Sequence, residues 1–195
     1  MNEHPAPVAE DSEALVADES LSPEGLSSED FRAAFRNHAA GVAVVTADPG
    51  DGPVGMTATS VFSVSATPPL LVFSVSELSS ATPGILASDS VVVHLLGADQ
   101  AGVAKHFATS GIDRFADTSL WDRLPTGEPY VPTATAWIRG TIVNRFTAGG
   151  STLVVVNATD AHYPDAEEAS GAEDAQPLVY HNRTWHGLGE HSRLA

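Results

Sequence analysis

The sequence predicts a mainly β protein: an antiparallel barrel carrying a few short helices. Three observations predict it. Val-rich runs recur through the chain, among them "GVAVVTA" from Gly41, "LLVFSVS" from Leu70, "SVVVHLLG" from Ser90 and "STLVVVNATDAHY" from Ser151, and short runs of β-branched residues favour pleated backbone. Pro, Gly and Asp punctuate the gaps between them, where turns need their special dihedrals or local hydrogen bonds. The strands also follow one another without helices of crossover length, which leaves antiparallel pairing and closure into a barrel.

The elements follow in order. Residues 1–27 are dominated by Pro, Ser, Ala and acids, with neither helical nor strand period, and are expected to form a disordered acidic leader. One domain is expected over residues 28–190, because 195 residues suffice for a single core but not for a dinucleotide domain plus a separate substrate domain. "SSEDFRAAFRNHA" predicts a helix, with Ser28 as its cap, Asp30 in its first turn, and Phe31, Ala34, Phe35 and His38 or Ala39 along one face. After the strand from Gly41 comes "GDGPVG", which spells the G-x-G-x-x-G of a dinucleotide-binding turn. That turn must open a helix. Here the next residues, "MTATSVFSVS" from Met56, read as another strand, so residues 50–55 are expected to be a hairpin loop. "SSATPGILAS" from Ser79 and "DQAGVAKHFATSG" from Asp99 predict short helices flanking the strand from Ser90. A loop, "DRFADTSLWDRLPTGEPYVPTA", leads into "AWIRGTIVNRF" and the strand from Ser151; beyond an acidic insertion, "PLVYHNRTWHGL" predicts a last strand and turn.

The formal charge of −16 is unevenly placed. Residues 1–30 hold nine acids and residues 160–175 hold six, with no Lys or Arg in either stretch, while the rest of the chain carries ten acids against nine bases. The acidity therefore belongs to a tail and an insertion. Without a basic stripe to displace counterions from phosphates, nucleic-acid binding is not expected. The chain has no cysteine, no apolar run of bilayer length and no charged-then-apolar leader pattern, so neither a disulfide framework nor a membrane partner is expected, and a cytoplasmic location is. Eight histidines lack the spacing of a metal site; His94, inside a Val/Leu strand, is expected to be a hydrogen-bonded core residue.

"GMTATSVFSVSATPP" carries the candidate chemistry. Read as one strand, it places Thr57, Thr59, Val61, Ser63 and Ser65 on one face. A face of small hydroxyls is either a solvent face or a shelf that lets a flat ligand approach the backbone and hydrogen-bond to it.

From Phe31 to about Leu188 the chain resembles the short-chain flavin reductases, through "FRNHAAGVAVVTA", "GMTATSVFSVSATPPLLVFSV", the pair Ser79 and Ser80, "VVVHLLGADQAGVAKHFA", "SGIDRF" and "PLVYHNRTW" in that order. The resemblance implies a split β-barrel of Greek-key type that dimerises and holds FMN or FAD in a cleft near the subunit interface. It implies that Thr57, Ala58, Thr59 and Ser60 lie along the flavin ring and ribityl chain and that Ser74 borders the ribityl side. It also implies that Ser79 and Ser80 meet the phosphate, with Lys105 and the backbone around His106 and Phe107 closing that end. NADH or NADPH would be the co-substrate and a flavin-dependent monooxygenase the partner, with NADH favoured because only nine Lys and Arg are present. Hydride passes between stacked rings, so no catalytic side chain is expected. Where the family usually carries G-D-H, this chain has Gly149, Gly150 and Ser151. Ser151, Arg183 and Trp185 are the candidates on the nicotinamide side, Trp185 alternatively being a barrel plug. Arg114 is expected chiefly to make a structural or interface salt bridge with a carboxylate, a direct phosphate contact being the alternative. The second functional reading is a flavin-binding split barrel without efficient nicotinamide-dependent turnover.

Overall fold

Ser27, one residue earlier than expected, caps the first helix. In the computed structural model, which describes residues 25–164 and 176–194, its hydroxyl accepts a hydrogen bond from the Asp30 amide at 3.1 Å at the start of α1 (Ser28–Phe35). Residues 1–24 of the expected leader and 165–175 of the acidic insertion lie outside the described residues. No residue of α1 is buried. Its apolar face is real in sequence but contributes nothing to the core.

The strands are β1 (Ala40–Gly41), β2 (Ala43–Ala47), β3 (Val54–Ala58), β4 (Phe62–Ala66), β5 (Pro69–Ser76), β6 (Ser90–Leu95), β7 (Asp122–Arg123), β8 (Pro129–Tyr130), β9 (Ala136–Ala148), β10 (Ser151–His162), β11 (Leu178–His181) and β12 (Thr184–Gly187). Helix α2 (Thr82–Ala87) lies between β5 and β6, and α3 (Ala101–Ala108) follows β6. Both are shorter than the stretches that predicted them, because a turn precedes α2 and a 3-10 turn over Ala98–Gln100 precedes α3. The last segment is a hairpin of two strands rather than one strand and a turn.

Seven strands form one antiparallel sheet in the order β3-β2-β6-β9-β10-β5-β4. Its two edge strands are consecutive in the chain, and only Thr59, Ser60 and Val61 separate them. Three residues span roughly 10 Å, so the sheet must curl until its edges nearly meet. That makes a barrel whose closing seam, between β3 and β4, carries no strand pairing among the described residues. "GDGPVG" forms the β2–β3 loop, as expected: the Asp48 carboxylate accepts from the Gly50 and Gly52 amides, both glycines having positive φ.

Strand β2 is buried on both faces. Val45 and Ala47 point into the barrel with Phe73, Val91, Val93, Val154 and Val156. Val44 points outward into a second cluster with Leu96, Phe107, Phe115 and Val131, which seats α3 and the following loop on the barrel wall. Two buried polar groups brace this frame. His94 bridges strand and loop, donating from Nδ1 to the Val44 carbonyl at 2.9 Å and accepting at Nε2 from the Val131 amide at 3.0 Å. Burial, only partly offset by the Val44 bond, lowers its pKa to about 4 and keeps it neutral. Burial opposes ionisation of Glu128, but bonds from Arg139, Ser90 and Thr126 outweigh it and hold that carboxyl at about 2.

Candidate functional site

A cleft of about 840 Å³ opens between α1, the β3–β4 crossing and the β11–β12 hairpin. Thr59, Ser60 and Ser74 line it together with the aromatic rings of Phe31, Phe35, Phe62 and Tyr180, while Arg32, Arg36 and Arg183 stand at its rim. Its size and mixed lining suit a flat, partly polar small molecule.

The hydroxyl ribbon is not one strand face. Because β3 ends at Ala58 and β4 begins at Phe62, the alternation that put Thr57, Thr59, Val61, Ser63 and Ser65 on one side is broken at the crossing. Thr57 turns to α3, donating its hydroxyl to the Ala104 carbonyl at 2.6 Å. Ala58 is 4% exposed and belongs to the barrel core. Ser60 clips the crossing to β5: its hydroxyl donates to the Ser74 carbonyl at 3.2 Å and accepts from the Ser74 amide at 3.0 Å. Thr59 is exposed at the crossing, and its hydroxyl makes no hydrogen bond among the described residues. Of the expected quartet, Thr59 and Ser60 line the cleft; Thr57 and Ala58 form its support.

Six residues beyond Ser74 the chain reaches Ser80. Ser79 is half-buried, 3.8 Å from the Met56 sulfur, and its hydroxyl accepts from the Ala81 amide. Ser80 is exposed and accepts from Arg114 Nη1 at 3.2 Å. No carboxylate of the same chain pairs with Arg114 among the described residues. Its Nε is buried and has no hydrogen-bond partner among the described residues. A buried unpaired guanidinium nitrogen is costly unless an acceptor arrives. His106 holds the segment in place through a 2.8 Å contact between its Nε2 and the Arg114 carbonyl, and Lys105 is exposed beside it on α3. The Phe107 side chain is instead core, 1% exposed and edge-on to Phe115 at 5.4 Å.

The nicotinamide-side candidates are dispersed. Ser151 sits at the β9–β10 turn, its position paired with Ala148 and Ser76, and is not among the cleft residues. Trp185 is half-buried against Tyr180, ring centroids 4.9 Å apart, and packs on the outer core cluster; Tyr180, not Trp185, faces the cleft. Arg183 does reach it. Sequence reasoning missed the contribution of α1. Its apolar stripe looks identical whether it faces a core or a cleft.

Ser79, Ser80, Lys105 and Arg114 are not among the cleft residues; Thr59, Ser60 and Ser74 beside aromatic rings give the cleft itself a lining that suits the planar, partly polar ring of a flavin.

Residues 35–189 match the family model described as the flavin reductase like domain. The chain is 42% identical over 184 residues to an NADH:FMN oxidoreductase of Rhodococcus erythropolis, covering 93% of this chain and 94% of that one. It is 29% identical over 136 residues to the reductase component of a 4-nitrophenol 4-monooxygenase/4-nitrocatechol 2-monooxygenase of Rhodococcus opacus, covering 70% and 72%. Among solved structures, the flavin reductase component of a bacterial two-component tryptophan halogenase superposes with a TM-score of 0.72 at 31% identity, covering 84% of this chain and 99% of that one.

Proposed function

Because the chain belongs to the flavin reductase-like family, we propose that it oxidises NADH to reduce FMN, and that the reduced flavin then serves a separate flavin-dependent monooxygenase. One observation carries the reading: a hydroxyl- and aromatic-lined cleft, with an unpaired arginine nitrogen beyond the end of one of its strands. Bound flavin supplies the hydride acceptor, so the protein needs neither nucleophile nor general acid. What the side chains contribute is position. Ser60 and Ser74 lock the crossing to β5 and so fix the cleft floor. Thr59 offers a small free hydroxyl without blocking the ring. Arg114 and Ser80 hold the flavin phosphate, with Lys105 adding charge and His106 fixing the loop that carries Arg114. Arg183 serves the nicotinamide side; Trp185 supports Tyr180 from behind the cleft, and Ser151 stands outside it.

The working unit in this reading is a homodimer. Edge strand β4 leaves Phe62 and Val64 56% and 54% exposed, apolar surface on an open sheet edge that a second copy would cover. A cytoplasmic setting fits the absence of cysteine; no helix among the described residues is long and apolar enough to cross a membrane. FAD in place of FMN would use the same phosphate anchor.

The second reading, a flavin-binding barrel without efficient turnover, is favoured by Gly149, Gly150 and Ser151, which stand where the family usually carries G-D-H. The two separate in one assay. NADH and NADPH oxidation is followed with added FMN or FAD, for the wild type and Ser151→His. The first reading expects NADH oxidation that requires FMN. FMN binding, seen as fluorescence quenching, without NADH oxidation in the wild type selects the second; no quenching at all sinks both.

A further inference from the structure

Helix α1 presents a face that nothing covers among the described residues. Phe31 and Phe35 stay 53% and 56% exposed on a helix that buries nothing, their rings 4.7 Å apart, and Leu26, just before the helix, is exposed as well. Aromatic rings clustered at a surface mark a contact face. Arginines frame it. Arg32 and Arg36 stand one helical turn apart at the C-terminal end of α1, and the Asn182 amide donates to the Arg36 carbonyl at 3.0 Å, which brings the β11–β12 turn and Arg183 against the same helix end. No Asp or Glu lines this cleft, and none of the three arginines makes an ion pair among the described residues. A helix dipole favours cations near its C-terminus, but that accounts neither for Arg183 nor for the exposed rings.

The chain itself carries the complement of this face. Residues 1–24, outside the described residues, hold seven Asp and Glu and no Lys or Arg. Within them "EALVADE", residues 13–19, sets Leu15 and Val16 between Glu13 on one side and Asp18 and Glu19 on the other: an apolar centre flanked by acids, where α1 has aromatic rings flanked by guanidinium groups. Reach is ample. Six residue steps separate Glu19 from Gly25, about 20 Å when extended, whereas the eight residues of α1 rise only about 12 Å. Because the chain enters α1 at the N-terminal end of the helix, it can double back along that face as far as Arg36.

We propose that residues 13–19 dock on the Phe31–Phe35 face against Arg32, Arg36 and Arg183, so that the chain's own acidic leader competes with anionic ligands at the mouth of the cleft. Exposed ion pairs of this kind are weak and screened by salt, so the leader tunes access to the cleft without closing it. Only the kinetic consequence rests on the reductase reading: the leader raises the NADH concentration needed for turnover, most of all at low salt.

Because the chain has no cysteine, Ser12→Cys carries a single nitroxide label in the full-length protein, and paramagnetic broadening of backbone amide signals locates residues 13–19 whatever the activity. At low salt the label is expected to broaden the Arg36 and Arg183 amides several-fold more than those of Arg123 and Tyr130, which are not among the cleft residues. That contrast is expected to vanish at high salt and in the Arg32→Gln/Arg36→Gln double variant, and to persist in Arg193→Gln, whose side chain pairs with Glu190. The kinetic arm neutralises the leader through Glu10→Gln, Asp11→Asn, Glu13→Gln, Asp18→Asn and Glu19→Gln together. This variant is expected to lower the NADH KM about 3-fold at low salt, with kcat unchanged, and to match the wild type at high salt. Broadening spread evenly over the molecule, broadening that survives in the double arginine variant, or an unchanged KM in the neutral-leader variant overturns the proposal. So does broadening that arises only between copies, in a mixture of spin-labelled and isotope-labelled protein. Failure of the parent reading looks different: wild-type protein would not oxidise NADH in the presence of FMN, while the broadening at Arg36 and Arg183 would stand.

Discussion

Arg114 illustrates how a single side chain changes meaning between sequence and structure. In "SGIDRF" it has an acidic neighbour and reads as half of an ion pair. In the fold it reaches Ser80, 34 positions away, and leaves its Nε buried and without a partner among the described residues, an arrangement that makes sense if an anion completes it. Arg114→Ala is therefore expected to weaken FMN about 10- to 100-fold, the range of a charge-assisted contact, and to leave riboflavin, which lacks the phosphate, within about 2-fold of its wild-type affinity. Fluorescence titration with both ligands checks this. Equal loss for both would mean that Arg114 only shapes the loop.

Among the elements, the strands were legible and their ends were not. β2, β5, β6, β9 and β10 follow from Val-rich runs because burial on one or both faces selects such residues. The run from Met56 was misread as one strand because nothing local in "MTATSVFSVS" marks the crossing; the break is imposed by closure of the barrel and held by the distant Ser74 backbone. Long strands also need local concessions. β9 and β10 pair over most of their length with register shifts at Val155/Val156 and Ala158/Asp160, and Gly140 lies between them at a point where a Cβ would press on Val156 and come 2.5 Å from the Asn157 carbonyl oxygen. Gly140→Ala is expected to cost about 1–3 kcal/mol through overpacking, lowering the melting temperature by roughly 2–4 °C per kcal/mol. A thermal melt that matches the wild type would show that the strand pair can yield there.

At the scale of the whole molecule, the buried polar braces set how stability depends on pH. His94 titrates lower in the folded chain than the usual 6.5, at about 4, so its contribution is complete above pH 6.5 and is lost as pH falls toward 4, amounting to about 3 kcal/mol. Glu128 is held at about 2 instead of 4.5, so its contribution is lost over a second, lower window, between pH 4.5 and 2. Urea unfolding at pH 7.5, 5.5 and 4 is expected to show stability declining already above pH 4.5, and His94→Gln is expected to flatten that upper stage; a wild-type curve level from pH 7.5 to 4.5 would contradict the role given to His94. The sequence by itself determined the β class, the apolar strands that build the barrel core, the hairpin nature of "GDGPVG" and the resemblance that pointed to flavin. The first three are written in composition, period or spacing within a short window; the resemblance rests instead on motifs in order from Phe31 to Leu188. Only the tertiary structure decided which hydroxyls stay free, that Arg114 meets Ser80 rather than a carboxylate, and that α1 faces a cleft ringed by arginines. Those outcomes depend on contacts such as Ser80 with Arg114 and Arg36 with Asn182, made between residues far apart in the chain, and long-range pairing leaves no periodic trace in the sequence.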